Sequence, residues 1–220
     1  MIHIFSDYSS ADSDVQRRQA LARQTWGMQQ WTEVPIKDHE VRGMFGFPMV
    51  RDLIEKACED RSPTEMWVLT NSDICIASDG WKRIDERLRQ QSCTYAFRRD
   101  FNRLDHVVPD HMIGTGYDYC GSDLFAGTVG WWRTHGQLMP ELLLGNEAWD
   151  AVMRVLMENT KRLPNSLALS NLIYHERHAS RWEDPRNRYT HPAQLHNLRV
   201  AWKWLVRRKI NPGSFGIKMV

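Results

Sequence analysis

Short apolar runs alternate along the chain with stretches whose apolar residues recur every three or four positions. Ile2–Ser6 is a run that suits a buried strand. Ser13-x-x-Gln16 has the form of a capping box opening a helix that runs through Trp26. Phe47, Val50, Leu53, Ile54 and Ala57 fall at helical spacing, with Pro48 suited to the first turn. Met66–Thr70 (MWVLT) predicts a central strand that ends on Asn71-Ser72-Asp73, and residues 73–77 extend it as further strand. Ser78 is placed to cap a helix carrying Trp81, Ile84 and Leu88. Residues 93–98 and 123–126 predict two more strands, and 172–174 a last one. Residues 146–158 predict a helix with the stripe Trp149, Val152, Val155 and Leu156. Strand and helix in alternation predict an α/β fold on a largely parallel, Rossmann-like central sheet flanked by helices. No repeat or low-complexity linker interrupts the pattern, so one domain is expected over residues 1–220.

Composition narrows the class. The chain is 42% hydrophobic, 25% charged and 10% aromatic, which is globular and not disordered. No run approaches the roughly 18 apolar residues of a membrane span. The opening Met1-Ile2-His3-Ile4-Phe5 lacks the charged and long apolar regions of a secretory signal. Cys58, Cys75, Cys93 and Cys120 contain no C-x-x-C pair, which argues against a zinc ribbon and a disulfide scaffold. A reduced, cytoplasmic protein is expected, in the host cytoplasm if the chain is viral.

Charge is distributed unevenly behind a net +2. Residues 1–110 hold 15 basic and 18 acidic side chains, whereas residues 111–220 hold 14 and 9. Beyond Glu183-Asp184 the chain has 8 basic residues and no acidic one, so a basic C-terminal helix or tail is expected over about 186–220. There Leu195, Leu198, Trp202 and Leu205 form an apolar stripe, while His196, Arg199, Lys203 and Arg207 run along another face, extended by Arg208, Lys209 and Lys218. Such a face suits a polyanion, and a merely solvated helix face is the alternative.

Candidate chemistry gathers at predicted strand ends, where ligands of α/β sheets bind. Asp73 can hold a hard divalent cation, Mg²⁺ or Mn²⁺, or can simply shape an Asx-turn. Arg98 and Arg99, next to Asp100, can clamp phosphate oxygens or form an internal ion pair. Residues 114–127 hold four glycines and match neither the dinucleotide nor the P-loop template. Asp150 lies in the first turn of its helix, where a carboxylate also complements the helix dipole. His175-Glu176-Arg177-His178 is not H-E-x-x-H, which excludes a zincin, but one histidine could complete a metal or phosphate site.

Taken in order, Ile4-Phe5-Ser6, Asn71-Ser72-Asp73-Ile74, Phe97-Arg98-Arg99-Asp100, Gly121-Ser122-Asp123-Leu124-Phe125, Trp149-Asp150 and the late His175 resemble the small nucleotide-sugar glycosyltransferases of GT-A-like fold. The resemblance implies that Asp73 stands for the last acid of the family's D-x-D, which binds metal and the sugar-nucleotide diphosphate. Asn71 replaces the first acid. It implies further that Ser6, Asn71, Asp73, Arg98, Arg99, Gly121 and Ser122 hold the donor, and that Asp73 with His175 holds Mn or Mg. Asp150, then Asp123, are the candidate bases for the acceptor hydroxyl, and Trp149 and His178 flank the acceptor. The expected reaction moves a hexose from a UDP-sugar. With Arg199, Lys203, Arg207 and Arg208 as polyanion contacts, the family resemblance extends to phage enzymes that glycosylate 5-hydroxymethyl-pyrimidine in DNA. The exposed partners for such bases would be among Trp131, Trp132, Trp202 and Trp204. A lipid-linked or capsular glycan is the alternative acceptor, and a non-catalytic DNA-binding protein is the alternative from another class.

Overall fold

The computed structural model describes residues 1–7, 9–178 and 190–218. Its centre is a seven-stranded mixed sheet with helices on both faces. The strands are β1 (Ile2–Ser6), β2 (Thr32–Ile36), β5 (Met66–Thr70), β6 (Cys75–Ile76), β7 (Cys93–Phe101), β8 (Tyr117–Thr128) and β9 (Ala168–Glu176), in the spatial order β2-β1-β5-β8-β7-β9-β6. The short β3 (Gly43–Met44) and β4 (Phe47–Pro48) form a separate ribbon. Parallel pairing joins β1 to β2 and β5, and β7 to β9, while β8 lies antiparallel between β5 and β7. The sheet is therefore mixed where the alternation of elements predicted it largely parallel. Five strands still run in one direction, and their carboxyl ends line up along one edge.

Side-chain alternation along these strands builds two cores. Ile2, Ile4, Trp67, Leu69, Tyr95 and Phe125 pack on one face with α2 (Val50–Cys58), α4 (Val129–His135), α5 (Trp149–Thr160) and α6 (Pro192–Arg207). Phe5, Val68, Ala96, Leu124 and Ala126 pack on the other with α1 (Ser13–Trp26) and α3 (Gly80–Gln91). No helix among the described residues is long and apolar enough to cross a membrane. Cys58, Cys75 and Cys93 are buried free thiols, and burial pushes each up to about 12.

Several boundaries differ from the sequence expectation for local reasons. Asp12, not Ser13, caps α1, accepting hydrogen bonds from the Asp14 and Val15 amides, and Gln16 reaches Ser10 instead of closing a capping box. Pro48 belongs to β4, and α2 starts two residues later. Ser78 bonds to Asp110, so Asp79 occupies the N-cap of α3 without a side-chain cap. Of residues 73–77 only Cys75–Ile76 form strand; they pair with β9 at the far edge of the sheet and do not prolong β5. The strand predicted over 123–126 is longer, since β8 begins at Tyr117 within the glycine-rich stretch. Gly121 fits there because a Cβ would lie 2.3 Å from the Tyr119 ring.

The tail holds the largest departure. In α6 the buried residues are Ala193, Gln194, Asn197, Leu198, Ala201, Trp204 and Leu205, so Leu195 and Trp202 stand only at the margin of the buried face. Trp131 and Trp132 are buried as well, 5% and 2% exposed, which removes them and Trp204 as stacking or wedge residues. Arg199, Lys203, Arg207 and Arg208 are exposed, with the Arg208 guanidinium 3.8 Å from the Trp204 ring centroid. Residues 186–189 and 219–220 of the expected tail lie outside the described residues.

Candidate active site

The register of four neighbouring strands assembles one cleft of about 1150 Å³ at the carboxyl edge of the sheet. Thr70 at the end of β5 pairs with Leu124 of β8, which sets Asn71 beside Asp123, and the Asn71 amide donates to Asp123 Oδ1 at 2.9 Å. Irregular register between β7 and β8 around Phe97 accompanies the turn of Arg98 into the cleft, where its Nη1 donates to Asp123 Oδ2 at 3.0 Å. Asp100 of β7 pairs in register with His175 of β9. Of the residues singled out in the sequence, Ser6, Asn71, Asp73, Arg98, Gly121, Ser122, Asp123, Trp149, Asp150, His175 and His178 all line the cleft.

The cleft holds a set of metal donors. Asp73, His175 and His178 each offer a ligand atom, all within 4.8 Å of one another. Both imidazoles approach the same carboxylate oxygen: His175 Nε2 lies 3.2 Å and His178 Nε2 3.4 Å from Asp73 Oδ2. Behind them Asp100 Oδ1 lies 3.5 Å from His175 Nδ1 and 2.8 Å from Arg98 Nε. Burial alone would lower His175, but the Asp100 and Asp73 carboxylates beside its two nitrogens raise it to about 9. Burial would raise Asp73, and the same histidines instead hold it far below the usual carboxylate range. A carboxylate and two imidazoles fit a dication such as Mn²⁺ better than Mg²⁺, which prefers an all-oxygen shell. The residue order also fits: Nε2 of His175 faces the donor triangle while Nδ1 faces a carboxylate, the arrangement that fixes ligating histidines.

Asp150 lines the same cleft. Burial, reinforced by the nearby charge of Asp123, raises it to about 6, against the Ala151 amide, the positive charge of Arg154 and the Ser122 amide. Asp123 differs, because Asn71 and Arg98 engage both of its oxygens. The turn leading into α5 places Gly145 at φ 74° and Ala148 at φ 78°; at a non-glycine residue the latter stores of the order of 1 kcal/mol of strain. Two residues of α6 brace this turn. Gln194 receives the Glu147 amide and donates to its carboxylate, and Asn197 bonds the backbone of Leu143 and Glu147.

Other predicted residues lie elsewhere. Arg99 leaves the cleft for Asn171 and Asp118, since adjacent residues of a strand face opposite sides. Trp149 borders the cleft but is 4% exposed and packs against Phe125, with ring centroids 5.2 Å apart. Arg199, Lys203, Arg207 and Arg208 do not line the cleft. Sequence reasoning missed three contributors. Asp100 stood in the Arg-Arg-Asp run but was read only as a partner for arginine. Arg177 lies between the two histidines, and Arg154 lies one turn beyond Asp150; both line the cleft, as do Ser214–Ile217.

Comparison with solved structures finds a likeness in fold. A solved structure described as "Crystal structure of S. aureus TarS 1-349" is similar over 99% of this chain and 75% of that one, at 12% identity and a TM-score of 0.47. No protein-family model matches the chain, and no curated protein does so.

Proposed function

We propose that the chain is a single GT-A-like domain that transfers a sugar from a nucleoside diphosphate to a hydroxyl, with a divalent metal and Asp150 in one cleft. The observation that carries this reading is the pairing itself: a three-donor triad and a carboxylate raised to about 6 share the cleft. Asp73, His175 and His178 would hold the metal, Mn²⁺ in preference to Mg²⁺, which supplies charge neutralisation to the donor diphosphate. Arg177, exposed beside the triad, adds a guanidinium for the same oxygens. Arg98 contributes less as a phosphate ligand, because Asp100 and Asp123 neutralise it.

Asp150 serves as the base. The acceptor oxygen bonds to the anomeric carbon as the bond from that carbon to the diphosphate oxygen breaks. The bonding pair leaves with the nucleoside diphosphate, and the acceptor proton passes to Asp150. Such a displacement inverts the anomeric centre. A carboxylate near 6 is ionised at neutral pH yet basic enough to accept that proton. Asp123 orients Asn71 and Arg98 and raises Asp150, a positioning part.

The exposed Arg199, Lys203 and Arg207 favour DNA carrying 5-hydroxymethyl-pyrimidine as the acceptor. Incubation with radiolabelled UDP-glucose, Mn²⁺ and either hydroxymethylated or plain DNA tests it. Label on the hydroxymethylated DNA alone supports the DNA acceptor. Release of UDP without label on either DNA keeps the transferase and removes that acceptor. Absence of UDP release from every nucleotide sugar tried removes the transferase reading.

A further inference from the structure

Two arginines of the cleft make no ion pair among the described residues, and they stand on different elements. Arg177 follows β9 beside the triad. Arg154 lies on α5, four residues after Asp150 and therefore on the same helix face. Its guanidinium carbon sits 5.7 Å from the Phe97 ring centroid and 4.9 Å from that of Phe215, so aromatic faces hold the group without cancelling its charge. Arg98, by contrast, is matched by two carboxylates. Two further groups in the cleft wall lack partners among the described residues. Ser122 and Asn146 are 2% and 3% exposed, and Ser122 Oγ and Asn146 Oδ1 are buried without a hydrogen bond. A half-buried cation with no ion pair among the described residues, whose charge is felt by Asp150 one helix turn away, lines a cleft whose wall also holds polar atoms without partners, a combination that suits a hydroxylated anion.

We infer that Arg154 binds an oxyanion, phosphate or carboxylate, carried by the acceptor. This rests on the proposed transferase reading for the word acceptor; the anion site itself does not. A planar guanidinium pinned between two rings presents its fork to phosphate or carboxylate with little freedom left to lose. Substrate selection follows: a neutral polyol lacks the group that Arg154 meets, so acceptors that carry an oxyanion are preferred.

Glycerol, glycerol phosphate and glycerate are suitable probes, titrated calorimetrically into the metal-free protein and into R154Q, R154K and R177Q. The wild type is expected to bind at least one anion about tenfold or more tightly than glycerol, equivalent to about 1.4 kcal/mol. Whichever anion gains identifies the source of the charge. R154Q should lose the preference, R154K should keep part of it as a point charge, and R177Q should retain it. A wild type without preference overturns the inference, as does an R154Q that keeps it or an R177Q that alone abolishes it. R154K covers the case in which R154Q does not fold. Mn²⁺-dependent UDP release measured on the same wild-type preparation separates the two claims. Without such release but with an Arg154-dependent preference, the transferase reading falls and the anion site stands.

Discussion

Asp73 and Asp150 are carboxylates in the wall of one cleft, and their surroundings drive them in opposite directions. Asp73 has two imidazoles at 3.2 and 3.4 Å, so it stays ionised and gathers positive charge. Asp150 has the charge of Asp123 nearby and little solvent, so it is raised to about 6. One residue type thus furnishes a cation site in one place and a proton acceptor in another. What separates them is the partner that each strand brings across: β9 delivers histidines to Asp73, whereas β8 delivers an acid to Asp150.

The contrast breaks most sharply at Asp73. D73N is expected to abolish Mn²⁺ binding and UDP release while the thermal transition stays within a few degrees of wild type. Retention of Mn²⁺ binding would place the ion elsewhere. D150N should lower turnover by about 10²–10⁴-fold and leave Mn²⁺ affinity unchanged, since it removes a base and not a ligand. Activity of the wild type should rise with pH through about 6 and then level off, a limb that D150N lacks.

The same substitution carries a stability signature. An acid raised in the folded state makes the protein less stable as pH climbs from the unfolded value, near 4, through the folded one. D150N should therefore exceed wild type by about 1–3 kcal/mol above pH 6 and match it below pH 4, as denaturant melts at the two pH values would show. A smaller effect is expected behind the histidines. D100N removes the carboxylate facing His175 Nδ1 and should weaken Mn²⁺ about 10–100-fold, read by titration against a competing chelator. Least of all should R199Q/K203Q/R207Q disturb the cleft. UDP release stays at the wild-type rate, and the slope of log DNA affinity against log salt flattens by up to about 2.7. An unchanged slope returns that face to a solvated surface.

Sequence periodicity located most elements because their buried faces are apolar: Met66–Thr70 and the helix carrying Val50, Leu53, Ile54 and Ala57 are visible on that ground alone. Where polar residues are buried, the pattern fails. Gln194 and Asn197 of α6 are fully buried because they bond the 143–147 turn, so the apolar stripe drawn through Leu195 and Trp202 was rotated from the true one. Tyr117, Gly121 and Ser122 hid the start of β8, residues 117–122, ahead of the predicted 123–126. The site residues were legible at strand ends, but their pairing was not. Only register shows that Asp100 stands beside His175, and only tertiary packing brings Phe215 to Arg154.

The central claim is the division of labour between the two carboxylates, and one paired measurement reads it. Mn²⁺ occupancy by electron paramagnetic resonance and UDP release from a panel of UDP-sugars would be followed in wild type, D73N and D150N at pH 7.5. The account predicts about one Mn²⁺ per chain in wild type and D150N, none in D73N, and Mn²⁺-dependent UDP release that is full only in wild type. Occupancy by Mn²⁺ in D73N, or equal UDP release from all three proteins, would contradict it.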